Sequence, residues 1–169
     1  MRRRTGGFTL LEVMVTLLLV GLLMGLSTAD YGALFSRTRL EAAGRRLGDH
    51  FAFAVSRAYT TGEYHTLLFD LEAGSCGLKP GRQDGEEPPL QEEVLGEGVL
   101  FTDIQVEEQT FTPPGILTVE ISPLGVTNDL VINLHDEKER TLCLYLDALV
   151  QRVEYYEEHK LYAELQERD

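Results

Sequence analysis

Residues 8 to 29 form an apolar run of 22 residues in which Glu12 is the one charged side chain. As a helix rising about 1.5 Å per residue, such a run spans about 33 Å, enough for a hydrocarbon layer of about 30 Å. Arg2, Arg3 and Arg4 precede it, and arginines at one end of a membrane segment hold that end in the cytoplasm. The rest of the chain then lies across the membrane. That remainder has a different chemistry, because residues 30 to 169 carry 12 Lys and Arg against 27 Asp and Glu. A strongly acidic body argues against a partner held through its phosphates, so no nucleic acid is expected. The mean hydropathy of -0.12 excludes a polytopic membrane protein. A length of 169 residues suits one domain with an appendage.

Three readings of the first thirty residues compete. A secretory signal has a short apolar stretch followed by a small-residue cleavage site, whereas here the small pair Gly6-Gly7 comes before a long stretch. A plain anchor explains the length and the arginines but leaves Glu12 without a purpose. In the third reading the chain is cut between Gly7 and Phe8 on the cytoplasmic side, and the apolar helix stays on the mature protein. Glu12 decides between them. An acid inside a membrane segment costs up to about 2.5–3.5 kcal/mol at the helix centre, and such residues usually have a partner and a role. Cleavage after Gly7 creates an α-amine on Phe8. Glu12 lies four residues on, one turn away on the same face, where it can neutralise that amine or a neighbouring subunit's. A carboxylate in a first turn also complements the helix dipole.

Gly7-Phe8-Thr9-Leu10-Leu11-Glu12-Val13 resembles the signature of type IV pilins and type II secretion pseudopilins. The resemblance implies that a prepilin peptidase cuts after Gly7 and methylates the new N-terminal Phe8, and that Glu12 is the family's acidic residue at the fifth mature position. It covers residues 2 to 29. Ala29 stands where many major pilins have a kinking Pro, which implies a straighter helix and a minor rather than a major subunit. The implied partners are the peptidase, other pilins or pseudopilins through the N-terminal helix, and the bacterial inner membrane, crossed once.

Beyond the run, Leu40, Ala43, Leu47, Phe51, Ala54 and Ala58 recur every three or four residues. That spacing predicts a helix over 33–61 with one apolar stripe. Arg37, Arg39, Arg45, Arg46 and Arg57 fall mostly off the stripe, and read as a solvated face rather than a docking surface for an acidic neighbour. Gly62 is a helix stop, while Gly44 and Gly48 weaken the helix. The period then changes to two. Residues 64–70, 99–106, 116–121, 129–134, 140–146 and 150–155 read as short strands. Ser122-Pro123-Leu124-Gly125 and His135-Asp136-Glu137-Lys138 read as tight turns that imply antiparallel pairing. Residues 79 to 98 hold three Pro, four Gly and six acids against two bases, the composition of an exposed loop. The acidic tail is predicted to be briefly helical through Leu161 and Leu165.

The predicted fold class is therefore α+β and pilin-like, with a long N-terminal helix on a small antiparallel β domain. Its parts are a leader 1–7, a membrane or filament-core helix 8–29, an amphipathic continuation 30–62, and an extracytoplasmic β domain 63–169. The passage from Thr61-Gly62 into a strand, and the segment Ile121-Ser122-Pro123-Leu124-Gly125-Val126, resemble the GspH/FimT-type minor pseudopilins.

Little else reads as chemistry. His50, His65, His135 and His159 show no metal-ligand spacing, and no catalytic or phosphate-binding motif is present. Asp70, Glu72 and the acidic loop offer carboxylates to calcium only at irregular spacing. Cys76 and Cys143 would both lie outside the cytoplasm, where a disulfide between them can persist, although Cys143 in an apolar strand reads rather as a buried free thiol. No cofactor, metal or small-molecule substrate is expected, nor an enzyme. Gly21 and Gly25 form a small-xxx-small pair that permits close helix approach. The expected function is that of a minor pseudopilin of a type II secretion system at or near the filament tip. The alternatives are a minor pilin of a type IV pilus, including one for DNA uptake, and a tethered binding module that never polymerises. Three bases against six acids in residues 151–169 disfavour DNA binding.

Overall fold

The computed structural model describes residues 9–27, 31–82, 89–126 and 128–166. The chain divides into two compact units, Met1–Phe35 and Ser36–Asp169. In the first, α1 spans Leu10–Ser27, 18 residues and so about 27 Å long. Among the described residues no helix is long and apolar enough to cross a membrane. The predicted segment 8–29 runs past α1 at both ends, and Phe8, Thr28 and Ala29 lie outside the described residues, as does the predicted leader 1–7.

α2 runs over Tyr31–Thr61. The six stripe residues are all buried, none more than 5% exposed. Gly62 ends the helix with φ +68°, a left-handed conformation that a side chain strains, and its N–H donates to the Ala58 carbonyl at 3.0 Å. Gly44 and Gly48 have a reason in packing. The Leu142 side chain fills the space a Cβ at Gly44 would need, and the Tyr155 phenol does so at Gly48.

Among the described residues ten strands follow, and all their pairings are antiparallel. The first sheet has the order β3-β2-β1-β6-β7, made from β1 (His65–Asp70), β2 (Ser75–Pro80), β3 (Gln91–Val94), β6 (Ile116–Ser122) and β7 (Gly125–Val126). The second has the order β10-β9-β8-β4-β5, made from β4 (Val99–Val106), β5 (Gln109–Phe111), β8 (Leu130–Asp136), β9 (Thr141–Asp147) and β10 (Arg152–Tyr156). A short α3 (Tyr162–Gln166) closes the chain, with Leu165 buried. Leu67 and Phe69 of the first sheet and Ile132, Leu134, Leu144 and Leu146 of the second meet the α2 stripe in one core.

The loop predicted over 79–98 is corrected in part. Lys79 and Pro80 finish β2, and Gln91–Val94 pairs with Ser75–Leu78 as β3. Residues 83–88 lie outside the described residues. β3 escaped the sequence pattern because it is an edge strand with polar Gln91, Glu92 and Glu93, and an exposed edge needs no apolar alternation. The short strands β5 and β7 also lie at sheet edges.

One irregularity controls the second sheet. In the β4–β8 ladder Phe101 faces Leu134 and Asp103 faces Asn133, so Thr102 is an extra, bulged residue. Val99, Phe101 and Ile104 remain in the core. Thr102 and Asp103 both reach the outer face, where they bond His135 and Asn133.

Candidate functional site

At the amino terminus, the local chemistry of α1 is set by its first turn. The Glu12 N–H donates to the Thr9 carbonyl at 3.0 Å and to Thr9 Oγ1 at 3.3 Å. Thr9 is thus the N-cap, and Thr9-x-x-Glu12 has capping-box spacing. That four-residue signal is legible in the sequence, beside the charge pairing that Glu12 suggests. Thr16 continues the turn by donating to the Glu12 carbonyl at 2.8 Å. The Glu12 side chain is exposed in the first turn, where it complements the dipole. Gly7 and Phe8 lie outside the described residues.

From Leu10 to Leu22 the described side chains of α1 are all exposed, and apart from Glu12 and Thr16 they are apolar. Leu10, Leu11, Met14, Leu17, Leu18 and Leu22 are each more than half exposed, and Gly21 has nothing within 4 Å of where a Cβ would stand. A helix apolar all round belongs in lipid or inside a bundle, because exposed apolar area costs about 25 cal/mol per Å².

The body brings together residues that the sequence reading did not connect. On the outer face of the second sheet Asp103 accepts hydrogen bonds from Gln105 at 2.8 Å and Asn133 at 3.0 Å, and its other oxygen lies 2.7 Å from His159 Nε2. Asn133 donates to the Lys160 carbonyl at 2.9 Å and accepts from the Lys160 N–H at 3.1 Å, while Gln105 accepts from the Tyr162 N–H at 2.9 Å. Asp129 holds Tyr145 and Gln166 at 3.0 Å each. These bonds tie residues 159–166 down as a strap over Val131 and Cys143, with Leu165 packed between. The polar groups are satisfied by one another, and together they fasten the strap to the sheet.

The two cysteines do not form the disulfide that an extracytoplasmic setting permits. Both are free and buried. Cys76 points into the main core from β2, whereas Cys143 belongs to the cluster under the strap, on the other face of the second sheet. Burial raises the Cys76 thiol and pushes the Cys143 thiol up to about 12, so neither is a ready nucleophile. The Asp70 carboxylate accepts from the Glu72 and Ala73 N–H groups at 3.1 and 2.8 Å, closing its own turn. Among the described residues no group of three or more His, Cys, Asp or Glu is arranged to hold a metal ion. Of the helix arginines, Arg37 meets Glu41 and Glu157 at 2.9 and 2.6 Å, Arg46 meets Glu93 at 3.3 Å, and Arg39, Arg45 and Arg57 are exposed. Exposed pairs of this kind contribute little.

Residues 2–28 match the family model of the prokaryotic N-terminal methylation motif. No curated protein matches the sequence. Among solved structures, the type IV minor pilin FimU of Pseudomonas aeruginosa superposes with a TM-score of 0.53 at 11% identity, over 71% of this chain and 90% of that one. The minor pseudopilin EpsH from the type 2 secretion system of Vibrio cholerae gives 0.48 at 8% identity, over 70% and 97%. The chain is therefore pilin-like, with an N-terminal methylation motif at one end and a pilin-like α+β fold built from a helix and two antiparallel sheets.

Proposed function

We propose that this protein is a minor subunit of a pilin-type filament and, within that class, a minor pseudopilin of a type II secretion system at or near the filament tip. Before assembly it sits in the bacterial inner membrane with Arg2, Arg3 and Arg4 in the cytoplasm and residues 63–169 outside. A prepilin peptidase cuts between Gly7 and Phe8 and methylates the Phe8 amine. The apolar helix then leaves lipid for the filament core, where the amine meets Glu12 of the same or a neighbouring subunit. The observation that carries this reading is an acid in the capping turn of a helix whose described side chains are apolar and exposed all round.

The reading is tested by expressing the full chain with a prepilin peptidase. The mature protein is expected to begin at Phe8 with one added methyl group, seen by N-terminal sequencing and intact mass. Gly7→Ala should block the cut. Glu12→Ala should still be inserted and cut but should fail to join filaments. A mature chain that retains Arg2-Arg3-Arg4 would mean a simple tether instead. The choice between secretion and a type IV pilus is read from which is lost, export or piliation, when the gene is deleted.

A further inference from the structure

α2 carries one titratable side chain into the core. His50 is 3% exposed, and neither Nδ1 nor Nε2 has a hydrogen-bond partner. Buried polar atoms are nearly always paired in native structures, so an imidazole with both nitrogens bare calls for an explanation. His50 stands one turn after Arg46, and Arg46 binds Glu93 on the edge strand β3. Glu93 in turn lies opposite Cys76 of β2 in the ladder. The charged groups near His50 are Glu93, whose charge reaches it, and Arg46, one turn before it on its own helix and bound to Glu93. On the second-sheet side α2 meets apolar Leu142, Leu144 and Val153 and the Tyr155 phenol beside Gly48.

We propose that His50 is a pH-sensitive latch between α2 and the first sheet. Neutral, it packs as an apolar ring. Protonated, it has two N–H donors and a charge in a dry site, so it must leave the core or draw Glu93 away from Arg46. Either movement loosens the seam between α2 and the β2–β3 edge. Burial lowers the tendency of His50 to protonate, against a smaller opposing pull from Glu93. A histidine held below its ordinary value of about 6.5 contributes stability that is complete above that pH. The contribution falls about tenfold in the closed-to-open ratio per pH unit below it, until the folded-state value is reached. Asp and Glu titrate lower, near 4, which leaves a window of about pH 6.5 to 5 for this effect.

The two buried thiols supply the readout. Cys76 lines a small cavity with Leu47 and Phe51 of α2, so it is uncovered when α2 lifts from the first sheet. Cys143 lies under the carboxy-terminal strap and reports on another layer. The full chain in detergent micelles is treated with an aromatic disulfide that stays reactive in acid, and labelling at each cysteine is followed by mass spectrometry. Each rate is divided by that of the same unfolded peptide at the same pH. Cys76 labelling should rise as the pH falls from 6.5 to 5.5, by up to about fivefold, while Cys143 stays flat. His50→Leu should abolish the rise, and His50→Gln serves if the Leu variant does not fold. An equal rise in these variants, Cys143 rising in step with Cys76, or no rise at all would overturn the latch.

Discussion

α1 and α2 are both helices with long apolar side chains, yet they handle them in opposite ways. In α2 the apolar residues keep to one stripe, and that stripe is buried by two sheets of the same chain. In α1 they surround the helix, and from Leu10 to Leu22 none is buried. The carboxy-terminal strap is a middle case, a small apolar patch covered by a short segment that polar bonds hold down. The difference teaches that a stripe looks for a partner inside the fold, while an unbroken apolar surface looks for a partner outside it. Helix propensity alone does not separate the two.

The contrast can be broken most sharply at Phe51. Phe51→Ala removes a ring from the buried stripe and should cost about 3–5 kcal/mol, measured by denaturant unfolding of the full chain. A loss below about 1 kcal/mol would mean that the stripe is not the seam of the core. Next in size is Asp103→Ala, which strips Asn133, Gln105 and His159 of a shared acceptor. It should cost about 1.5–3 kcal/mol and speed protease cleavage within residues 157–166, with the main core intact. Gly48→Val drives a branched side chain into the Tyr155 phenol. The expected loss is about 1–3 kcal/mol, and a Tyr155→Ala partner change should recover part of it. Thr9→Ala deletes the N-cap of α1 and should weaken that helix by about 1 kcal/mol, seen as faster amide exchange at Glu12. The smallest effect belongs to Leu18→Ala on the exposed surface of α1, with a change in body stability under about 0.5 kcal/mol. A larger change there would show that α1 is packed against something within its own chain.

How much of this was legible varies with the kind of signal. The stripe from Leu40 to Ala58 was fully readable because a 3.6-residue period survives in any fold that buries one helix face. The strand at Val99–Val106 was bounded correctly from its apolar content, but its bulge at Thr102 was not. A bulge depends on the partner strand, and β8 lies about 30 residues away. β3 and β5 stayed hidden because edge strands with polar side chains look like loops. Gly44 and Gly48 read as weak points in a helix, when they are the places where Leu142 and Tyr155 come close.

By itself the sequence determined the amino-terminal pattern, three arginines, Gly7-Phe8 and an acid four residues on, and it determined which face of α2 is buried. Local spacing carries both, since residues three or four apart on a helix meet whatever the rest of the chain does. Only the tertiary structure decided which polar groups go inside. Asp103 and His159 are 56 residues apart in sequence, and the β4 bulge together with the strap brings them to 2.7 Å. The two cysteines are also separated by the fold: Cys76 enters the main core from the first sheet, and strand alternation turns Cys143 of the second sheet to the face under the strap, and no local pattern records which sheet or face a residue joins.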